Sequence, residues 1–65
     1  MASLAQRFAT KYGFTGQDLT DFWHLIALKA EPTEEATAEF DDLVDNCNLK
    51  VVKAFNEYSL APYSL

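Results

Sequence analysis

Apolar residues recur every three or four positions from Leu4 to Tyr58, and that spacing points to helices packed on one another. Leu4, Phe8 and Tyr12 repeat along one stripe with Ala5 and Ala9 beside them, placing a first helix over residues 4–12. Ser3 and Gln6 have the spacing of a capping box at its start. Gly13 supplies the left-handed residue that ends it, and Phe14 can fold back on the last turns. A second helix is expected over residues 16–30, with Thr15 as its cap, Asp18 three residues on, and Phe14 and Leu19 spaced as a hydrophobic staple.

The third block is longer. Pro32 suits the first position of a helix. Ala36, Phe40, Leu43, Val44, Cys47, Val51, Ala54, Phe55 and Tyr58 then hold one helical phase. Asn46-Cys47-Asn48 is a candidate break because asparagine is a poor helix former, yet the phase is the same on both sides of it. The pattern therefore predicts one helix over residues 33–58, about 39 Å long at 1.5 Å per residue. Pro62 is expected to end any helical continuation, leaving residues 59–65 as an extended apolar tail with Leu60 and Tyr63. The expected fold is all-α: a small three-helix bundle, two shorter helices on one long C-terminal helix, forming a single domain over residues 1–65. Its core should centre on Phe22, Trp23, Ile26, Phe40, Val44 and Val51, with Phe14 closing the first corner.

The second helix is apolar on two sides. Leu19, Phe22, Trp23, Ile26, Ala27 and Ala30 share one broad arc, while Leu25 and Leu28 lie across from them among Asp18, Asp21 and His24. Either neighbouring helices cover both sides, or Leu25 and Leu28 form an exposed strip that binds something.

Charge narrows the partners. Glu31, Glu34, Glu35, Glu39, Asp41, Asp42 and Asp45 stand in a stretch without Lys or Arg, in a chain of net charge −5. Acids early in the third helix and Lys50 and Lys53 late in it suit the helix dipole, so a solvated face accounts for their location. It does not account for the lack of interspersed cations. The net charge disfavours direct nucleic-acid binding and attraction to anionic lipid. No apolar run exceeds Leu25-Ile26-Ala27-Leu28, so no membrane span is expected. A single cysteine, Cys47, and an N-terminus that turns polar by Gln6-Arg7 favour a reducing, cytoplasmic setting without a secretory leader.

Chemistry is sparse. His24 and Cys47 are single and sit on different helices, short of a zinc ligand set. The acidic run lacks the glycine a calcium loop requires. Asp41 and Asp42 are sequence neighbours and diverge by about 100° on a helix rather than sharing a site. Gly13 and Gly16 belong to the corner, so there is no phosphate loop. Neither a cofactor, a metal nor an enzymatic activity is expected.

Tyr12-Gly13-Phe14-Thr15, followed by Leu19 and Phe22, resembles the Met-Gly-Phe corner of ubiquitin-associated domains, which are small three-helix bundles that bind ubiquitin. The resemblance covers positions 12–22. The aromatic at 12, the Glu31-Pro32 loop and the long third helix depart from it.

The expected function is a non-catalytic protein-binding module, a small acidic accessory subunit or inhibitor docking on a larger assembly. Leu25, Leu28, Leu60 and Tyr63 are its candidate apolar contacts. One alternative is mimicry of nucleic acid, with Glu35, Glu39, Asp42 and Asp45 entering a partner's basic cleft. A second is a structural homo-oligomer, such as a homodimer packing one third helix on another.

Overall fold

A computed structural model describes residues 3–64, with side chains described for residues 3–61. Four helices follow one another: α1 (Leu4–Tyr12), α2 (Gly16–Ala30), α3 (Glu34–Asn46) and α4 (Leu49–Ser64). No strand occurs among the described residues.

The first two helices begin and end as their sequence dictates. The Ser3 hydroxyl accepts from the Gln6 amide at 3.2 Å. Gly13, at φ 68°, closes α1 with its own amide donating to Thr10 and the Phe14 amide donating back to Ala9, the paired bonds of a Schellman end. Gly16 also has positive φ, so both glycines are used for conformations that a side chain would strain. Thr15 occupies the cap position of α2, but its hydroxyl makes no capping bond. Thr33, rather than the preceding proline, starts α3, its hydroxyl accepting from the Ala36 amide at 3.1 Å.

The expected long third helix is two helices. Cys47 is extended, at φ −91° and ψ 170°, and ends α3. Asparagine chemistry makes the break. The Asn46 side-chain nitrogen Nδ2 donates to the Asp42 carbonyl at 2.7 Å, and the Asn48 side-chain oxygen accepts from the Lys50 backbone amide at 3.0 Å, capping α4. The Asn48 carbonyl takes the first bond of the new helix, from Val51. Apolar phase survives because periodicity reports which face is buried, not whether the axis bends. The extended tail is corrected too: α4 continues to Ser64. A proline removes one amide donor and crowds the carbonyl four residues back, a cost set against only two further residues of α4, and its fixed φ is itself helical.

The core lies where α2 meets α4. Phe22, Leu25, Val51 and Ala54 are fully buried, joined by Phe55, by Phe14 from the corner, and by Ala5 and Ala9 from α1. Aromatic rings tie the elements together: Phe14 on Phe22 at 5.4 Å, Phe8 on Tyr58 at 6.1 Å, and Phe40 of α3 on Phe55 of α4 at 5.3 Å. Phe22, Val51 and Phe14 take their expected places; Ile26, Phe40 and Val44 are half-buried at the margin.

The rotation of α2 differs from the expected one. Leu25 is fully buried and Leu28 nearly so, whereas Trp23 is 41% exposed. Leu25 and Leu28 are therefore not an open strip. Asp21 lies on the same buried face, 8% exposed, with the Gln17 side chain donating to its carboxylate at 2.8 Å. A paired carboxylate tolerates burial that an unpaired one would not. No buried side-chain polar atom lacks a partner among the described residues.

This rotation is open to a direct check by thermal and denaturant unfolding. Leu25→Ala should cost about 2–5 kcal/mol, the usual range for a fully buried leucine. Trp23→Ala, at a site in contact with water, should cost markedly less. A larger loss at Trp23 than at Leu25 would mean that α2 faces the other way.

Candidate functional site

Turning Leu25 into the core brings the other arc of α2 to the surface. Trp23, Ala27 and Ala30 are exposed there, with Leu19 and Ile26 half-buried beside them. The arc borders a cleft of about 400 Å³ between α1 and α2, lined by Ala9, Gly13, Phe14, Leu19 and Trp23, with Gln6, Thr10 and Thr15 on its rim. Each wall has a local cause. Phe14 is held by its stack on Tyr12 at 5.7 Å and by Phe22. Gly13 turns the chain without adding a side chain to the opening: a Cβ built there meets nothing within 4 Å. Trp23 leans edge-on to Phe22 at 6.3 Å, which sets the indole at the mouth while one edge stays packed. No charged residue lines this cleft.

A second surface is the outer face of α3. Glu35, Glu39, Asp42 and Asp45 are all exposed, as are Glu34 and Asp41. At 1.5 Å per residue the first four span about 15 Å along the axis. The apolar side of the same helix, Ala36, Phe40, Leu43 and Val44, is buried or half-buried.

A third is the seam between α1 and α4. Leu4, Arg7, Phe8, Lys11 and Ala61 line a shallow groove of about 420 Å³. The Lys11 ammonium sits 5.6 Å from the centres of both the Phe8 and Tyr12 rings. Tyr12 donates its hydroxyl to the Glu57 carboxylate across the seam.

Of the apolar contacts expected from sequence, Leu60 is exposed at 59% on α4. Tyr63 lies outside the residues whose side chains are described. Leu25 and Leu28 belong to the interior, and the structure does not bring the four together. Phase with Phe22 and Ile26 places Trp23 in the core, whereas the structure sets it at the cleft, 41% exposed. The signal that could have found it is Gln17 four residues before Asp21, a pairing that lets a carboxylate face inward.

His24 is exposed, and Cys47 is half-buried at the α3–α4 corner. Burial first, then the negative charge of Asp21, pushes the Cys47 thiol above its ordinary value. Among the described residues no group of three or more His, Cys, Asp and Glu is placed to hold a metal ion. None of their helices is long and apolar enough to cross a membrane.

Comparison with protein-family models, curated proteins and solved structures finds no match to this chain. The likeness of positions 12–22 to a ubiquitin-associated corner thus remains local, and the fourth helix lies outside that three-helix pattern.

The Tyr12–Glu57 contact carries a pH dependence. The hydrogen bond to Glu57 raises the Tyr12 phenol above its ordinary value of 10.0, because the neutral phenol donates to a carboxylate that its anion would repel. A raised folded-state pKa means that this stabilisation is fully present below pH 10 and is lost as pH rises through the higher folded value. Unfolding followed against alkaline pH should show that loss. Glu57→Gln should bring the Tyr12 ultraviolet titration back toward the ordinary phenol value, and an unchanged titration would exclude the contact.

Proposed function

We propose that this chain is a non-catalytic protein-binding module that docks on a larger partner through the Trp23 face of α2. The observation that carries the reading is the single tryptophan, 41% exposed at the mouth of an uncharged apolar cleft. Tryptophan is among the residues that most often anchor interfaces, and exposing one without use forfeits burial. Ala27 and Ala30 continue the strip with small side chains, which suits close approach of a second apolar surface. The uncharged lining favours an uncharged, apolar segment of the partner as occupant. A cytoplasmic setting rests on the lone thiol and fits a partner met inside the cell.

A second reading keeps one specific support. Entry into a basic cleft requires Glu35, Glu39, Asp42 and Asp45 to be exposed together and unpaired; all four are exposed on α3, and the Asn46 side chain donates to the Asp42 carboxylate at 3.5 Å. Ionic strength separates the two modes. Apolar docking is nearly indifferent to salt, whereas binding through carboxylates weakens steeply as salt rises.

The decisive experiment uses wild-type protein, Trp23→Ser, and a variant with Glu35, Glu39, Asp42 and Asp45 changed to Gln. Partners captured from the native host are identified by mass spectrometry, purified, and titrated calorimetrically. The Trp23 variant should lose about 2 kcal/mol or more of binding, with little change across salt, and the Gln variant should bind as wild type. Wild-type affinity for Trp23→Ser would exclude the cleft, and loss confined to the Gln variant would select the acidic face. Trp23 also reports directly: its quenching by acrylamide should fall in the complex.

A further inference from the structure

The α1–α4 seam is chemically unlike the rest of this molecule. The chain has ten acids and five Lys or Arg. α1 holds two of those cations and no acid. Arg7 and Lys11 are exposed and four residues apart, so they lie one turn from each other on the same side of the helix. Leu4, Phe8 and Ala61 line the same groove and supply its apolar part. Lys11 is held over two aromatic rings rather than left free to wander. Glu57, the one acid in the sequence of α4, accepts from the Tyr12 hydroxyl and so is already engaged.

We infer that this groove is a second docking site, which takes an acidic amphipathic helix of a partner protein. Two carboxylates spaced i, i+4 would meet Arg7 and Lys11, and an apolar side chain between them would enter over Leu4 and Phe8. The match is one of period as well as sign. Residues four apart on facing helices recur about 6 Å apart, so a pair of acids on one helix registers with a pair of cations on the other. This site is separate from the Trp23 cleft and stands or falls without it.

Two other occupants fit less well. A second copy would offer the carboxylates of α3, but its apolar residues Ala36, Phe40, Leu43 and Val44 are buried or half-buried in their own fold, so no anchor comes with the charge. An anionic membrane would attract Arg7 and Lys11 but repel the acidic α3 face of a chain with net charge −5.

The test uses the full chain and a fluorescein-labelled synthetic helix of about 18 residues, with Glu pairs at i, i+4 beside a leucine stripe, together with its Glu→Gln counterpart. Anisotropy should show saturable binding of the Glu peptide, weakened by added salt, and binding of the Gln peptide weaker by roughly tenfold or more. Arg7→Glu with Lys11→Glu, and the milder Arg7→Gln with Lys11→Gln, should lose the Glu peptide to a similar extent while keeping wild-type circular dichroism. Trp23→Ser should bind it as wild type. The inference is overturned if no peptide binds, if the Glu and Gln peptides bind equally, if a folded Arg7/Lys11 variant binds as well as wild type, or if Trp23→Ser abolishes binding. Two controls name other occupants, and either positive result also overturns it. One is concentration-dependent self-association in sedimentation that the Arg7/Lys11 variants remove. The other is binding of phosphatidylserine vesicles that the same variants remove.

Discussion

Phe22 and Leu25, about a turn apart on α2, set the terms for the rest of the chain. Both are fully buried, and α2 packs on α1, α3 and α4. A domain this small cannot spread its apolar residues among several centres, because burial barely exceeds the entropy lost on folding. One helix must therefore serve every neighbour. That requirement turns Leu25 and Leu28 inward, draws Asp21 in with them, and leaves Trp23 on the surface. The surface cleft is thus a by-product of how α2 satisfies its neighbours. The exposed tryptophan and the buried aspartate are two ends of the same rotation.

The local signals were readable residue by residue. Ser3, Gly13 and Phe14 specify the end groups of α1, and the chain follows them. Helical class follows from the apolar spacing, and the limits of the first two helices from the spacing together with the cap and glycine signals at Ser3, Gly13 and Thr15. The corner at Cys47 does not, because the apolar phase is the same on both sides of it. Only the bonds of Asn46 and Asn48 reveal the stop, and those are local competition between side chain and backbone that a period count does not weigh. The rotation of α2 escapes a period count for a related reason. Asp18, Asp21 and His24 make the Leu25 side look wet, and the Gln17 bond that permits Asp21 inside is a single contact within one turn. The acidic face of α3 was the most readable part of the candidate surfaces, since exposure follows directly from charge.

Splitting the long helix also changes how the surfaces are distributed. A straight helix over residues 33–58 would have carried its acids and its lysines on one rod. With a bend at Cys47 and Asn48, the carboxylates stay on α3, while Lys50 and Lys53 go with α4, the helix that α1 packs against. Acidic and basic character are thereby assigned to different parts of the molecule by two asparagines.

The thinness of α1 has a kinetic consequence. Its buried side chains are only Ala5 and Ala9, which remove little area from water, so its hold on the globule depends on the rims of Phe8 and Tyr12. Regions with few buried apolar groups open at lower free energy than the global transition. α1 should accordingly detach before the α2–α4 centre does, exchanging its amide protons on a shorter timescale. Because α1 forms one wall of the cleft beside Trp23 and one bank of the groove beside α4, such breathing would widen both openings together. A ligand seated in either would slow that opening and so, through α1 alone, be felt at the other.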